Sequence, residues 1–189
     1  MTPDEQVLEF WFGGESRRGK ARAKWFSKDD EFDAQMRERF GELHAKAARR
    51  ELEGWRASPE PMLALVLLLD QFSRNLHRGD ARAFAQDPHA RECARQALER
   101  GDDLGFLPVE RQFLYMPFEH SEDLAMQDRA VELFTALAAQ TGVDSPLPWA
   151  EKHRDVIRRF GRFPHRNEIL GRTSTPEELA FLTQPGSSF

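Results

Sequence analysis

At about 100° per residue, the apolar positions of this chain gather into helical stripes. After Pro117 the stripe is Leu124, Ala130, Val131, Phe134, Leu137 and Ala138; further on it is Trp149, Val156, Ile157 and Phe160. In MLALVLLLDQFSRNLHRG it begins with Leu63, Val66 and Leu67. No run of β-branched residues alternates with polar ones, and no Asn-Gly turn occurs, so strands are not expected. The pattern predicts an all-α fold with helices over 3–12, 29–51, 59–76, 88–100, 108–116, 119–141, 147–160, 165–170 and 176–182.

Helix starts carry local signatures. Thr2, Pro3 and Glu5 make a capping box with proline at the first helical position, and Thr175, Pro176 and Glu178 repeat it. Ser58 before Pro59 and Asp87 before Pro88 give a cap followed by proline. Glycines such as Gly54, Gly101, Gly142 and Gly161 mark stops. Pro117 either ends a helix at Met116 or kinks a longer one. No linker divides the 189 residues, which predicts one domain over 1–189 with a Pro/Gly/Ser tail at 183–189 that frays. The 34-residue repeat signature is missing, and the periodicity fits an irregular bundle as well as a helix-pair array.

Several polar residues fall on these apolar faces. His120 and Gln127 project into the stripe after Pro117, with Asp123 in its other half, and His153 lies inside the stripe of the 147–160 helix. Asp70, Arg74 and His77 continue the face begun by Leu63, and Asp70 can pair with Arg74 at i, i+4. A buried polar group costs several kcal/mol unless it is hydrogen-bonded, so each should meet a partner. That partner is either a carboxylate in a polar layer that fixes helix register, or a ligand.

Charge sharpens the choice. From Lys152 to Arg172 there are seven Lys/Arg against Asp155 and Glu168, although the chain has net charge −5. A solvated helix face is the plain reading of such a run. Here, however, the arginines alternate with Phe160, Phe163, Ile169 and Leu170, and Gly161, Pro164 and Gly171 make the backbone turn. Successive guanidinium groups on a turning chain can converge, and planar forks hold carboxylate or phosphate bidentately. An anion pocket is the expectation.

Composition excludes other classes. A pI near 5.7 argues against binding along a nucleic-acid backbone, which needs a broad basic face. The longest apolar run, Met62–Leu69, is too short to span a bilayer. The opening MTPDEQVLEFWFGG carries acids where a secretory leader needs positive charge. One cysteine, Cys93, sits in an Ala-rich helical pattern as a small buried filler and suits a reducing compartment, so a cytoplasmic protein is expected. Glu119, His120, Glu122, Asp123, His153 and His165 include donor types for a metal, but neither His-Glu-x-x-His nor Glu-x-x-His spacing occurs. Nucleophile elbows and phosphate loops are missing as well, and no cofactor is expected.

Five motifs together carry a resemblance: LEFWFG (8–13), KWF (24–26), LLLDQFSRN with Arg78 and Gly79, FLYMPFEHSED (113–123) with Gln127, and FGRFPHRNEILGRTSTPEE (160–178). The chain resembles a bacterial family, the domain of unknown function numbered nine-two-four, whose members look like tetratricopeptide-type helical proteins. The resemblance covers nearly the whole chain and implies an all-α, tetratricopeptide-like arrangement. It implies no reaction and transfers no catalytic residues.

The leading expectation is one concave site for a phosphate- or carboxylate-bearing small molecule. Arg159, Arg162, Arg166 and Arg172 neutralise it, with Arg74 and His165 as further contacts, while Asn167 and Gln127 orient it. His120, Asp123 and His153 are the acid/base candidates for any turnover. An acidic peptide in a helical groove rimmed by Trp11, Trp25 and Trp55 is the alternative. A third reading is structural, with arginines paired to Asp70, Glu119, Glu122 and Asp155. Oligomeric state is not set by the sequence.

Overall fold

A computed structural model of the chain describes residues 1–14, 16 and 18–188. Helix α1 (Pro3–Phe12) opens with the expected box: Thr2 donates its N–H to Glu5 Oε2 at 2.8 Å and its hydroxyl accepts the Glu5 N–H. The same box starts α9 (Pro176–Leu182), where Thr175 and Glu178 exchange both bonds. Between them run α2 (Asp30–Ala48), α3 (Pro59–Leu67), α4 (Ser73–Leu76), α5 (Asp87–Arg100), α6 (Pro108–Glu119), α7 (Leu124–Thr141) and α8 (Leu147–Phe160). The described residues contain no strand, so the fold is all-α.

Most departures from the expected helix bounds have local causes. Helix α2 stops at Ala48 because Arg50 turns left-handed at φ 61°. The single helix expected over 59–76 is interrupted by a π turn at Leu68–Phe72, where the Ser73 hydroxyl donates to the Leu69 carbonyl at 2.7 Å. Ser58 is extended at its helix start but makes no side-chain cap bond. Asp87 lies inside α5 rather than capping it, because its carboxylate accepts the Arg74 fork at 2.9 and 3.0 Å. Helix α6 continues past Pro117 to Glu119. Helix α7 then starts at Leu124, because Asp123 is extended and accepts the Ala125 N–H at 2.8 Å as its cap. In place of a helix at 165–170 there is one 3₁₀ turn, Pro164–Arg166.

The chain forms two compact units, Met1–Arg78 with Arg82–Pro117, and Gly79–Ala81 with Phe118–Phe189. In the first, α1 packs on α3, α3 on α5, and α2 on α4. Its core is aromatic. Trp11 is wholly buried, with ring centroids of Phe113, Phe72, Phe32 and Trp25 at 5.3, 5.7, 6.0 and 6.1 Å. Such pairs add about 0.5–1.5 kcal/mol each beyond burial. Cys93 is buried as a filler, and burial pushes its thiol up to about 12.

In the second unit, α7 lies against α8. Ala130, Phe134 and Leu137 are buried as the stripe predicts, and so are Val156 and Ile157. Two stripe positions go the other way: Leu124 and Trp149 are exposed, since each sits in the first turn of its helix, where neighbouring chain does not cover it. Phe163 completes this core, with Phe160 and Phe181 packed against it. The end of the chain is tied at Ser187, which is buried and donates to the Leu182 carbonyl at 3.1 Å.

Candidate functional site

The residues singled out in the sequence converge on Phe163, in the second unit. Gly161 ends α8 at φ 70°, and Pro164 starts the 3₁₀ turn, so Phe163 is held between two backbone reversals. Its ring is fully buried, with the Arg166 guanidinium 4.6 Å and the His153 and His165 rings 5.6 Å from its centroid. Its N–H donates to Glu122 Oε1 at 2.7 Å, and its carbonyl accepts from Arg172 Nη2 at 3.1 Å.

Around this anchor, carboxylates meet the arginines. Arg172 forks onto Glu122 at 2.7 and 2.9 Å and gives its Nε–H to Asn167 Oδ1 at 2.9 Å. Asn167, itself buried, donates to Glu178 Oε2 at 3.2 Å and to the Ser174 hydroxyl at 3.0 Å. Arg162 forks onto Glu178 at 2.6 and 2.8 Å and also reaches the Thr173 carbonyl. Glu178 therefore accepts from Arg162, Asn167 and the Thr175 N–H together. The Arg162 fork leads in holding its carboxyl at about 2. Burial alone would raise Glu122, but the Arg172 fork and the Phe163 N–H keep it below the usual range.

The histidines form a second cluster beside the anchor. His153 is buried, and its Nδ1 lies 2.9 Å from Glu119 Oε1 and 2.8 Å from the Trp149 carbonyl. Both partners are acceptors, which assigns the proton to Nδ1 and leaves Nε2 as the acceptor in the neutral ring. His120 is buried, its ring 6.4 Å from that of His153, and its carbonyl accepts from Arg166 Nη2 at 3.1 Å. Gln127 is fully buried and donates to the carbonyls of Glu119 and Ser121 at 2.5 and 2.6 Å, closing the end of α6.

The remaining sites fall elsewhere. Asp123 is exposed and does not aim at the core; it is the α7 cap described above. Arg159 lies at the surface with Glu177 at 2.9 Å. Arg74 belongs to the first unit, where its Nη1 pairs with Asp70 at 2.9 Å in the expected i, i+4 fashion and its fork holds Asp87. Of the acids expected to receive arginines, Asp70 and Glu122 do. Glu119 receives His153, and Asp155 is only 3.9 Å from Arg158. Sequence reasoning missed Glu178 as the acid for Arg162, although the capping box already placed its carboxylate beside the Thr175 N–H.

Beside these Arg–carboxylate forks an open cleft of about 540 Å³ is lined by Pro164, His165, Glu168, Arg172, Ser174, Leu179, Leu182 and Ser188. Leu179 is 56% exposed there. Neither His120 nor His153 is in that lining. Among the described residues no three His, Cys, Asp or Glu side chains are grouped to hold a metal ion. No described helix is long and apolar enough to cross a membrane.

An all-α fold whose C-terminal segment is laced by Arg–carboxylate forks around a buried phenylalanine defines the class of protein. Comparison with known families places it further: residues 7–186 match the family described as bacterial protein of unknown function (DUF924), and the chain belongs to it. Its fold is similar to a solved structure of a protein of unknown function from Agrobacterium tumefaciens, with 46% sequence identity and a TM-score of 0.84 over 95% of this chain and 96% of that one. No curated protein matches the chain.

Proposed function

We propose that the second unit binds a small carboxylate-bearing molecule with an apolar arm, without turning it over. One observation carries this: the cleft sets Arg172 beside Leu179, Leu182 and Pro164. Arg172 spends four N–H donors on Glu122, Asn167 and the Phe163 carbonyl, which leaves one Nη1–H for a ligand oxygen and holds the guanidinium still. Glu168 lines the same cleft. An amino acid or a short peptide end, whose ammonium can use Glu168, is the form that balances its charge.

Binding is favoured over acid/base chemistry because His120 and His153 are buried outside the cleft lining and Asp123 is spent as a cap. The tetratricopeptide-like groove for an acidic peptide is the weaker reading, since Trp11 and Trp25, expected at its rim, are buried. A lone buried thiol at Cys93 suits a cytoplasmic setting.

Calorimetric titration with leucine, hexanoate and butylamine tests the reading. Leucine should bind saturably, hexanoate more weakly and butylamine least. Leu179→Asp, a change at an exposed site, should weaken leucine at least tenfold with unchanged melting. Equal binding of leucine to wild type and Leu179→Asp, or no binding of any probe, rejects the cleft.

A further inference from the structure

The cleft beside Phe163 carries a second donor besides Arg172. Chemistry fixes the amide of the buried Asn167: Arg172 Nε only donates, so Oδ1 accepts from it at 2.9 Å, and the Glu178 carboxylate only accepts, so Nδ2 faces it at 3.2 Å. The same Nδ2 lies 3.0 Å from Ser174 Oγ, which is therefore the acceptor. A hydroxyl that accepts still has its hydrogen to give, and no described residue takes it. Ser174 is half-buried and lines the cleft. Its backbone is pinned on both sides, since the Thr173 carbonyl accepts from Arg162 Nη2 at 2.9 Å and the Thr175 N–H donates to Glu178 Oε2 at 2.8 Å. A donor held in this way costs a ligand little ordering.

The two donors serve different ligand atoms. On the planar guanidinium of Arg172, Nε–H and one Nη2–H share the edge turned to Asn167 and the Phe163 carbonyl, while Glu122 takes the pair at the end. The Nη1–H that is left points away from Asn167, whereas Ser174 lies beyond Asn167, so the donors are set apart rather than paired on one carboxylate. The cleft, at about 540 Å³, falls within the roughly 300–1,000 Å³ of pockets that enclose drug-sized ligands, well beyond the size of one amino acid. Resting on the reading of this cleft as a carboxylate site, we infer that its ligand is a short peptide held by its carboxyl end. The terminal carboxylate meets Arg172, the terminal apolar side chain lies against Leu179 and Leu182, and the preceding peptide carbonyl accepts from Ser174. Glu168 makes no ion pair with a described residue and meets the ammonium of a dipeptide.

Titration calorimetry of the whole protein with leucine, glycyl-leucine and N-acetyl-leucine tests this. Glycyl-leucine should bind about fivefold or more tighter than leucine. Ser174→Ala should weaken glycyl-leucine about three- to tenfold, the effect of one neutral hydrogen bond, and leave leucine unchanged. N-acetyl-leucine keeps the carbonyl and lacks the ammonium, so it should show the same loss in Ser174→Ala. Ser174→Thr keeps the hydroxyl and should bind glycyl-leucine within about twofold of wild type. The inference is overturned if glycyl-leucine binds no tighter than leucine, or if Ser174→Ala weakens both alike, as a hydroxyl that only supports Asn167 would. Leucine bound by wild type and lost in Leu179→Asp, with no gain for glycyl-leucine, keeps the cleft and strikes the peptide alone. No binding of any probe to wild type rejects the cleft and the peptide together.

Discussion

Trp11 and Phe163 are both buried rings at the centre of a unit, yet their surroundings are opposite. Around Trp11 stand four other rings within 6.1 Å. Around Phe163 stand a guanidinium and two imidazoles, with a carboxylate on its N–H. The ring cluster at the centre of the first unit therefore draws its stability from apolar burial, which is indifferent to protonation. The second depends on forks that hold only while their carboxylates are charged. The difference also shows in how the arginines are held: Arg162 and Arg172 lie against Glu178 and Glu122, whereas Arg39 rests on phenylalanines.

The largest break in this contrast is Trp11→Ala, expected to lower stability by about 3–5 kcal/mol with no dependence on pH. Denaturant titration at pH 7 and pH 5 measures it, and a loss that varied with pH would deny the apolar account. Glu178→Gln should cost about 1.5–3 kcal/mol, because Arg162 and Asn167 lose a charged acceptor. The same measurement reads it, and a neutral result would mean that the Arg162 fork adds nothing to stability.

Acid separates the units by position on the pH axis. The folded protein keeps His44 neutral down to about 4 against an ordinary 6.5, through burial and then the charge of His77. The unfolded chain binds that proton first, so this contribution is complete above pH 6.5 and declines as pH falls to 4. Glu178 is held at about 2 against 4.5, so its contribution is complete above pH 4.5 and declines as pH falls to 2. Unfolding monitored by tryptophan fluorescence should show both limbs, with only the lower one removed by Glu178→Gln. Loss of the upper limb instead would reverse the assignment.

Smaller effects sharpen the picture. Asp123→Ala should cost about 1 kcal/mol, as loss of a helix cap and not of a catalytic acid, measured by thermal melting. Arg39→Gln should change stability by no more than about 0.5 kcal/mol, since its site is exposed. A greater loss would mean that the guanidinium is structural.

What could be read along the chain was whatever is settled within a turn of helix. Both capping boxes and the bounds of α1, α8 and α9 were legible, because Thr2 with Glu5 and Thr175 with Glu178 meet three residues apart. The polar faces were legible as well, since 100° per residue puts His153 among apolar neighbours whatever lies opposite. Partner choice was not. Arg172 finds Glu122 fifty residues away, Arg162 finds Glu178 sixteen away, and Arg74 takes Asp87 out of its expected cap thirteen away. The aromatic bed under Lys24 and Arg39 likewise exists only once α1 and α2 bring Phe10, Phe32 and Phe40 together. Periodicity says which side of a helix must be satisfied, but distance in space decides which group satisfies it, and so which arginines remain for a ligand.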